Sequence, residues 1–401
     1  MKRFWVAALC AVLLTSMVGF SNSASAGYAL GDRGQKVLEI KKRMRDLGYF
    51  VGKKLSDTYN ANMVEKVKEF QTMNGLKSTG TLDDQTIEML YSDNVRSSFS
   101  APLITEENQN CFIFPDMDKI DLSVLEEPQY PVIIQSREAG YWLYETESIR
   151  IEIKRIEWPE KPLVWFETDI RLSQGETFHR LDNRNAKGKL ADEDPRKIAK
   201  NNKAVLAISD DYASFRIDRG RKTGIVIHNG EIIGKNTYRA TSVAVPNLDI
   251  LALFPDGSMK TFESNQYKPE EYLEMGVTDT FAFGPYLLRD GEVNPDFSRG
   301  DTGYNKYEPR NALGMIEPGH YLFVTTLGRQ TKSAGTYLVW LAYRMKDLGC
   351  VEALNLDGGN SIAIVFMGDL INKAENIDKV SFMTGVRKIS SLLGVGTYDE
   401  K

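Results

Sequence analysis

Residues Glu352–Ile364, EALNLDGGNSIAI, hold the densest set of groups in this chain able to do chemistry. Asn355 and Asp357 alternate with Leu354 and Leu356, so in an extended segment the polar side chains share one face and the leucines the other. That pattern delivers a carboxylate to a strand end. Gly358 and Gly359 tolerate positive φ and let a ligand approach the backbone, while Asn360 and Ser361 add hydrogen-bonding groups where the next apolar run begins. Asp357 is the candidate nucleophile, base or anchor for a substrate hydroxyl. Ser361 and the amides of Gly358 and Gly359 are candidates to hold an anionic or polar oxygen of a ligand, and Asn355 to orient Asp357. An Asp-Gly hairpin turn without chemistry is the competing reading of the same residues.

Two further sets of groups invite the same question. In AVLAISDDYASF (Ala204–Phe215) a buried-type strand runs into Ser209-Asp210-Asp211-Tyr212. Adjacent acids repel and raise one pKa, which suits general acid catalysis by Asp211 or Asp210, or they hold a divalent cation. In PRNALGMI, Arg310 offers a planar guanidinium for a bidentate contact to phosphate, or else pairs with a surface acid at a strand end. His179, His228 and His320 show no metal-ligand spacing and read as surface or strand-end residues. The metal requirement is left open.

The elements that must position these groups fall into two regions. Val37, Ile40, Met44 and Leu47 form an apolar helical stripe ended by Gly48. Met63, Val67 and Phe70 form a second before Asn74-Gly75, and Ile87 and Leu90 a third. From Tyr141 onward strands dominate: Ile149, Ile151 and Ile153 alternate with charged residues, and Asn229-Gly230, Asp256-Gly257, Asp290-Gly291 and Pro318-Gly319 mark tight turns between apolar runs. Helical patterns are confined to Pro195–Asn201, Pro269–Met275 and Gly335–Leu348, the last ending at Gly349. The predicted fold class is α+β, with a small three-helix bundle followed by a larger domain built on a curved, mostly antiparallel sheet and a few helices.

The order helix, strand, NLDGGNS, strand, together with PRNALGMI, FGPYLLRDGEV (Phe283–Val293) and AVLAISDDYASF, resembles the phosphodiester glycosidase family from roughly Lys200 to the C-terminus. The resemblance implies a substrate-binding role for Gly284, which stands where that family has Gly-Pro and where a side chain would crowd the pocket; a β-bulge is the other reading. It also departs from the family pattern. Asn311 stands in a Thr place, Ser209-Asp210 replace Asn-Gly, and Asn360 replaces a glycine. The segment Tyr28–Ser92 resembles the peptidoglycan-binding domain of cell-wall hydrolases, which implies tethering to peptidoglycan.

The boundaries that follow are a signal peptide at 1–26, a peptidoglycan-binding domain at 27–92, a linker at 93–134 and a glycosidase-like domain at 135–401. Met1-Lys2-Arg3, the apolar run Phe4–Val18 and Ala24-Ser25-Ala26 carry the first of these, so the expected location is secreted, in the periplasm or cell wall, without a membrane span in the mature chain. A formal net charge of −5 gives no basic excess for nucleic acid. Cys111 and Cys350 either pair across a long loop or remain free, Cys350 as a buried thiol. The expected function is cleavage of a sugar-1-phosphodiester bond in an envelope glycan, with peptidoglycan and a glycan or sugar-phosphate polymer as partners. The alternatives are a hydrolase of exopolysaccharide or teichoic-type polymers with a different bond preference, and a non-catalytic envelope-binding protein.

Overall fold

The structure, a computed structural model, describes residues 27–51, 54–221, 223–236, 248–295, 306–372 and 387–398. The expected signal peptide lies outside the described residues. The three N-terminal stripes form the helices Gln35–Asp46, Ala61–Met73 and Asp84–Tyr91. Asn60 and Asp83 cap the second and third by accepting from Met63 N at 3.0 Å and Thr86 N at 2.8 Å.

The larger region is a layered β structure in which every strand pair among the described residues is antiparallel. A nine-stranded sheet runs from Val132–Ser136 at one edge, through Leu163–Leu172, His320–Thr326, Arg310–Glu317 and Glu352–Asn355, to Tyr286–Arg289 and Glu292–Val293 at the other. A five-stranded sheet centred on Ala204–Ile208 and a three-stranded sheet around Asp249–Leu253 accompany it. The main core lies between them: Ile151, Phe166, Leu313, Phe323 and Leu354 from the large sheet meet Leu206, Ile208, Phe366 and Val395 from the five-stranded sheet and Leu251 and Phe281 from the third. Turn chemistry accounts for several hairpins. Asn229-Gly230 and Asp290-Gly291 all take positive φ, as two-residue hairpin turns require.

Two sequence expectations change. The helix expected over Gly335–Leu348 forms only over Leu338–Asp347, because Tyr337 is extended (φ −78°, ψ 161°) and Gly335 lies against the Glu308 backbone. A helix at Ala213–Asp218 was not anticipated. The segment read as a linker packs against its neighbours: Arg96 forms a two-contact ion pair with Asp347, and Asn108 donates to Thr72 O at 2.8 Å and Leu103 O at 2.7 Å. Cys111 and Cys350 are both free thiols, and burial pushes the Cys350 pKa far up.

The helical bundle also shares a core with the large sheet. Val37, Met44 and Phe70 belong to one apolar cluster with Phe112, Trp158, Trp165, Leu338 and Trp340. Among the described residues no helix is long and apolar enough to cross a membrane.

Candidate active site

Alternation along Glu352–Asn355 sends Leu354 and Leu356 into the core between the sheets and Ala353 to the opposite face. The chain beyond Asn355 then leaves the large sheet. Its flanking strands, Glu352–Asn355 and Ile364–Phe366, lie in different sheets, so Asp357-Gly358 is a crossover between layers and not a hairpin turn. The crossing is held on both sides. Leu356 N donates to Asn311 O at 2.8 Å and Gly359 N to Pro309 O at 2.9 Å, while Asp357 N donates to Asp210 O at 3.1 Å. Two glycines make the path feasible for different reasons. A Cβ on Gly358 would sit 2.6 Å from Pro309 O, and Gly359 takes φ +62°. Because the Gly359 amide is engaged by Pro309, it is not an anion donor.

The Asp210 strand end is fixed by polar side chains. Ser209 Oγ donates to Ser361 O at 2.7 Å and accepts from Ala363 N at 2.8 Å, and Asn311 Nδ2 donates to Ser209 O at 2.8 Å. Asn311 in turn accepts from Thr325 Oγ1 at 2.7 Å. Of the positions that depart from the family pattern, Ser209 and Asn311 are therefore bonded to each other, and Asp210 follows directly on the strand end they fix.

Electrostatics divide the carboxylates. Burial pushes the Asp357 pKa up to about 6, opposed by a hydrogen bond from Ser361 and assisted by the charge of Asp210. Burial and the adjoining Asp211 carboxylate push Asp210 up to about 6 as well. One Asp210 oxygen accepts from Tyr212 N at 2.8 Å, and the other, Oδ2, is buried without a partner. Asp211 behaves differently. Burial alone would raise it, yet Arg180 holds its carboxyl below the usual carboxylate range. Arg180 grips it at 2.8 and 3.2 Å, Ala282 N donates at 2.8 Å and Ala213 N at 3.3 Å. Asp211 is fully buried, so the structure makes it a positioning ion pair and removes it from the catalytic set. The cation paired with Asp211 is Arg180, and no cluster of three or more metal-ligating side chains occurs among the described residues.

Arg310 lies against the loop through its backbone, since the Gly358 Cβ position is 3.4 Å from Arg310 Cα. Its guanidinium donates to Lys306 O at 3.1 Å and Thr336 O at 3.4 Å, and burial lowers its pKa to about 10. Two other arginines, overlooked in the sequence, touch the loop side chains directly. Arg329 Nη1 donates to Asn360 Oδ1 at 3.0 Å while Arg329 Nε donates to Glu308 at 2.7 Å. Arg387 Nη1 donates to Ser361 Oγ at 3.3 Å, completing a chain from Arg387 through Ser361 to Asp357. Tyr212, with φ 57° and its ring stacked on Phe215 at 4.5 Å, lies in the field of Arg387 and Asp357. No local signal marked Arg329 or Arg387, because each reaches the loop from a different part of the chain, whereas Tyr212 lies in the Ser209-Asp210-Asp211-Tyr212 segment already singled out.

Two expected binding residues have scaffold contacts. Asn355 Nδ2 donates to Gly284 O at 2.9 Å, with Asn355 Oδ1 buried and unpartnered. Gly284 takes φ +80°, and a Cβ there would meet Asp249 Cβ at 2.9 Å, so the crowding it avoids comes from Asp249.

Carboxylates and arginines thus gather on a crossover between β layers, and a helical bundle packs against the large sheet. Comparison with known proteins gives the particular resemblance. Residues 202–395 match the phosphodiester glycosidase (NAGPA) family model and residues 33–90 match a putative peptidoglycan binding domain. The chain thus resembles a peptidoglycan-binding domain joined to a phosphodiester glycosidase domain. The SPbeta prophage-derived uncharacterized protein YomE of Bacillus subtilis (strain 168) is 28% identical over 179 residues, 44% of this chain and 26% of that protein. This chain spans only about a quarter of the length of that curated relative. Among solved structures, the zebrafish N-acetylglucosamine-1-phosphodiester alpha-N-acetylglucosaminidase catalytic domain, auto-inhibited by its pro-peptide, is 18% identical with a TM-score of 0.49. The match covers 63% of this chain and 85% of that one. A hypothetical protein from Synechocystis is 16% identical with a TM-score of 0.40, covering 65% and 69%.

Proposed function

We propose that this chain is an exported, wall-associated hydrolase that cleaves a glycosyl phosphodiester in an envelope glycan. The observation that carries this reading is the backbone contact of Asp357 N with Asp210 O, which brings together strand ends of two different sheets, both carboxyls having a raised pKa, beside a loop touched by Arg329 and Arg387.

Breaking a sugar C1–O bond to phosphate needs little proton transfer, because the departing phosphomonoester is already a stable anion. What the site must supply is stabilisation of positive charge at the anomeric carbon, a water that adds to that carbon and gives its proton to a carboxylate, and a grip on the phosphate. Asp357, half-buried and ionised above about pH 6, supplies the first. The charge of Asp210 alongside helps to raise the Asp357 pKa, and burial and Asp211 raise Asp210 itself. Arg387 and Arg329 supply the grip on the phosphate, and Arg310 shapes the loop that holds them in place. The match at residues 33–90 supports peptidoglycan as the matrix that keeps the enzyme near its polymer.

The test is incubation of the purified protein with soluble diesters of N-acetylglucosamine-1-phosphate, following free sugar and phosphomonoester together. Stoichiometric release of both, abolished by Asp357→Asn, is the expected result. No release across a panel of glycosyl phosphodiesters by folded protein overturns the reading.

A further inference from the structure

Arg216 lies on the helix Ala213–Asp218, just beyond Asp210 and Asp211, and is 4% exposed. Its Nη1 donates to Asp211 O at 2.7 Å and its Nη2 to Thr223 O at 3.0 Å and Ala282 O at 2.5 Å, while Nε is buried without a partner. Each of these acceptors is a neutral main-chain carbonyl. Taking a cation out of water with no carboxylate bonded to it is costly, and a helix that needed packing alone would be served better by an apolar side chain. The charges that face Arg216 are those of the candidate site. Burial pulls its pKa down, the carboxylates of Asp211, Asp210 and Asp357 oppose that, and Arg180 adds to the fall.

The guanidinium ties three segments together: the strand end at Asp211, the residue before Gly224–His228, and Asp279–Phe283 of the three-stranded sheet. The tie to Ala282 is doubled, because Ala282 N donates to Asp211 Oδ2 at 2.8 Å. Arg216 thus anchors the main chain of Asp211 where the carboxylate anchors its side chain. Two residues past Ala282, Gly284 N donates to Asn355 O at 2.9 Å and Gly284 O accepts from Asn355 Nδ2 at 2.9 Å. Two residues past Asn355, Asp357 N donates to Asp210 O at 3.1 Å. The path closes on itself, running from Asp210 through Arg216, Ala282, Gly284 and Asn355 to Asp357 and back. A closed ring of this kind fixes where the two strand ends stand relative to each other, and the link that Arg216 makes is the one between the five-stranded and three-stranded sheets.

We propose that Arg216 is a positioning residue of the candidate active site: its fork holds the strand end that carries Asp210 in place against the crossover that carries Asp357, and its charge favours the ionised form of those carboxyls. Buried as it is, it acts through them and not on a substrate. Arg180 differs in kind, since its charge is taken up by the ion pair with Asp211. The other charged groups acting on Asp357 are Asp210, which raises its pKa, and Arg387, which lowers it. Those acting on Asp210 are Asp211 and Arg180, in the same two senses. As part of a reaction the assignment rests on the proposed hydrolysis, but the effect of Arg216 on Asp357 can be measured without turnover.

Two variants separate the fork from the charge. Arg216→Lys keeps the charge and loses the fork, and Arg216→Gln loses both while retaining an N–H donor pair. Each is made in the full chain, checked by circular dichroism and urea unfolding, and assayed on a soluble diester of N-acetylglucosamine-1-phosphate. In both, kcat falls by about tenfold or more with KM changed by less than about twofold, because misplaced carboxyls act on the reacting atoms and not on ground-state binding. The Asp357 carboxyl is followed by carbon NMR of aspartate-labelled protein, its signal identified by its loss in Asp357→Asn. Its titration midpoint moves up by about half a pH unit or more in Arg216→Gln, where a favourable positive charge is gone, and stays in place in Arg216→Lys. Wild-type kcat in either folded variant overturns the assignment, as does a raised KM with unchanged kcat. Turnover lost only in proportion to folded protein, with the midpoint unmoved in Arg216→Gln, makes Arg216 a folding residue and overturns it too. If Arg216→Gln does not fold, the kcat and KM of Arg216→Lys decide. A wild-type protein without turnover whose Asp357 midpoint still responds to Arg216→Gln sinks the hydrolase and leaves the coupling of Arg216 to Asp357 standing.

Discussion

Replacing Asp357 by Asn should make the protein more stable at neutral pH while removing its activity. The Asp357 pKa is raised from 3.8 to about 6 by burial, so between these values the folded state holds a proton that the unfolded chain has released. Stability therefore falls as pH rises through that window and stays lowered above it. Two pKa units correspond to about 3 kcal/mol. Asp357 is only half-buried, which reduces the expected gain from the neutral isostere to about 1–2 kcal/mol above pH 6, vanishing near pH 4. The asparagine oxygen still accepts from Ser361, so the loop keeps its geometry. Urea unfolding of wild type and Asp357→Asn at about pH 4 and about pH 7.5 gives the difference directly. Turnover on a soluble glycosyl phosphodiester should fall by a factor on the order of a thousand in the same variant. A variant with the same relative stability at both pH values would refute the electrostatic account, and one that turns over like wild type would refute the catalytic one.

Arg180→Met strands the buried Asp211 carboxylate and should cost about 3–5 kcal/mol, read as a lowered urea midpoint; the double variant with Asp211→Asn should recover much of it. Arg387→Ala removes a charge that lowers the Asp357 pKa, so the acid limb of the pH–rate profile should move to higher pH, with no movement counting against the Arg387–Ser361–Asp357 chain. Gly358→Ala places a methyl 2.6 Å from Pro309 O and should cost about 1–3 kcal/mol together with most activity; wild-type behaviour in both would mean that the crossover yields easily.

How much of this was legible in the sequence depends on the range over which each feature is decided. The three N-terminal helices follow from local stripes and caps at Asn60 and Asp83, and the hairpins at Asn229-Gly230 and Asp290-Gly291 from turn residues that need positive φ. The assignment of Asp357 to a strand end followed from alternation with Leu354 and Leu356. Asp211 misled because two adjacent acids look equivalent in a sequence. Only the fold shows that Arg180, thirty-one positions away, neutralises one and leaves the other with a bare oxygen. Arg310 was chosen over Arg329 and Arg387 for the same reason. Its motif was visible, whereas contact with Asn360 and Ser361 is set by how three distant segments meet at one crossover.

The docking of the bundle bears on what a peptidoglycan-binding domain does here. Read as an element separated by a linker, it would act as a leash whose only effect is to raise local concentration. In the structure Arg96 grips Asp347, Lys161 grips Glu69, and Phe70 and Trp340 belong to one core cluster. Cutting the chain at Ser92 therefore exposes apolar surface on both pieces. The segment 27–92 alone should be markedly less stable than the same residues within the full chain. Wall binding should accordingly be assayed first with the intact protein and then with Arg96→Met paired with Asp347→Asn. If the bundle is a leash, the paired variant keeps full activity on polymer and on soluble diester alike. If the bundle holds the glycan at a fixed place relative to Asp357, polymer turnover drops while soluble-diester turnover is retained, and equal loss on both substrates would show that the junction serves folding alone.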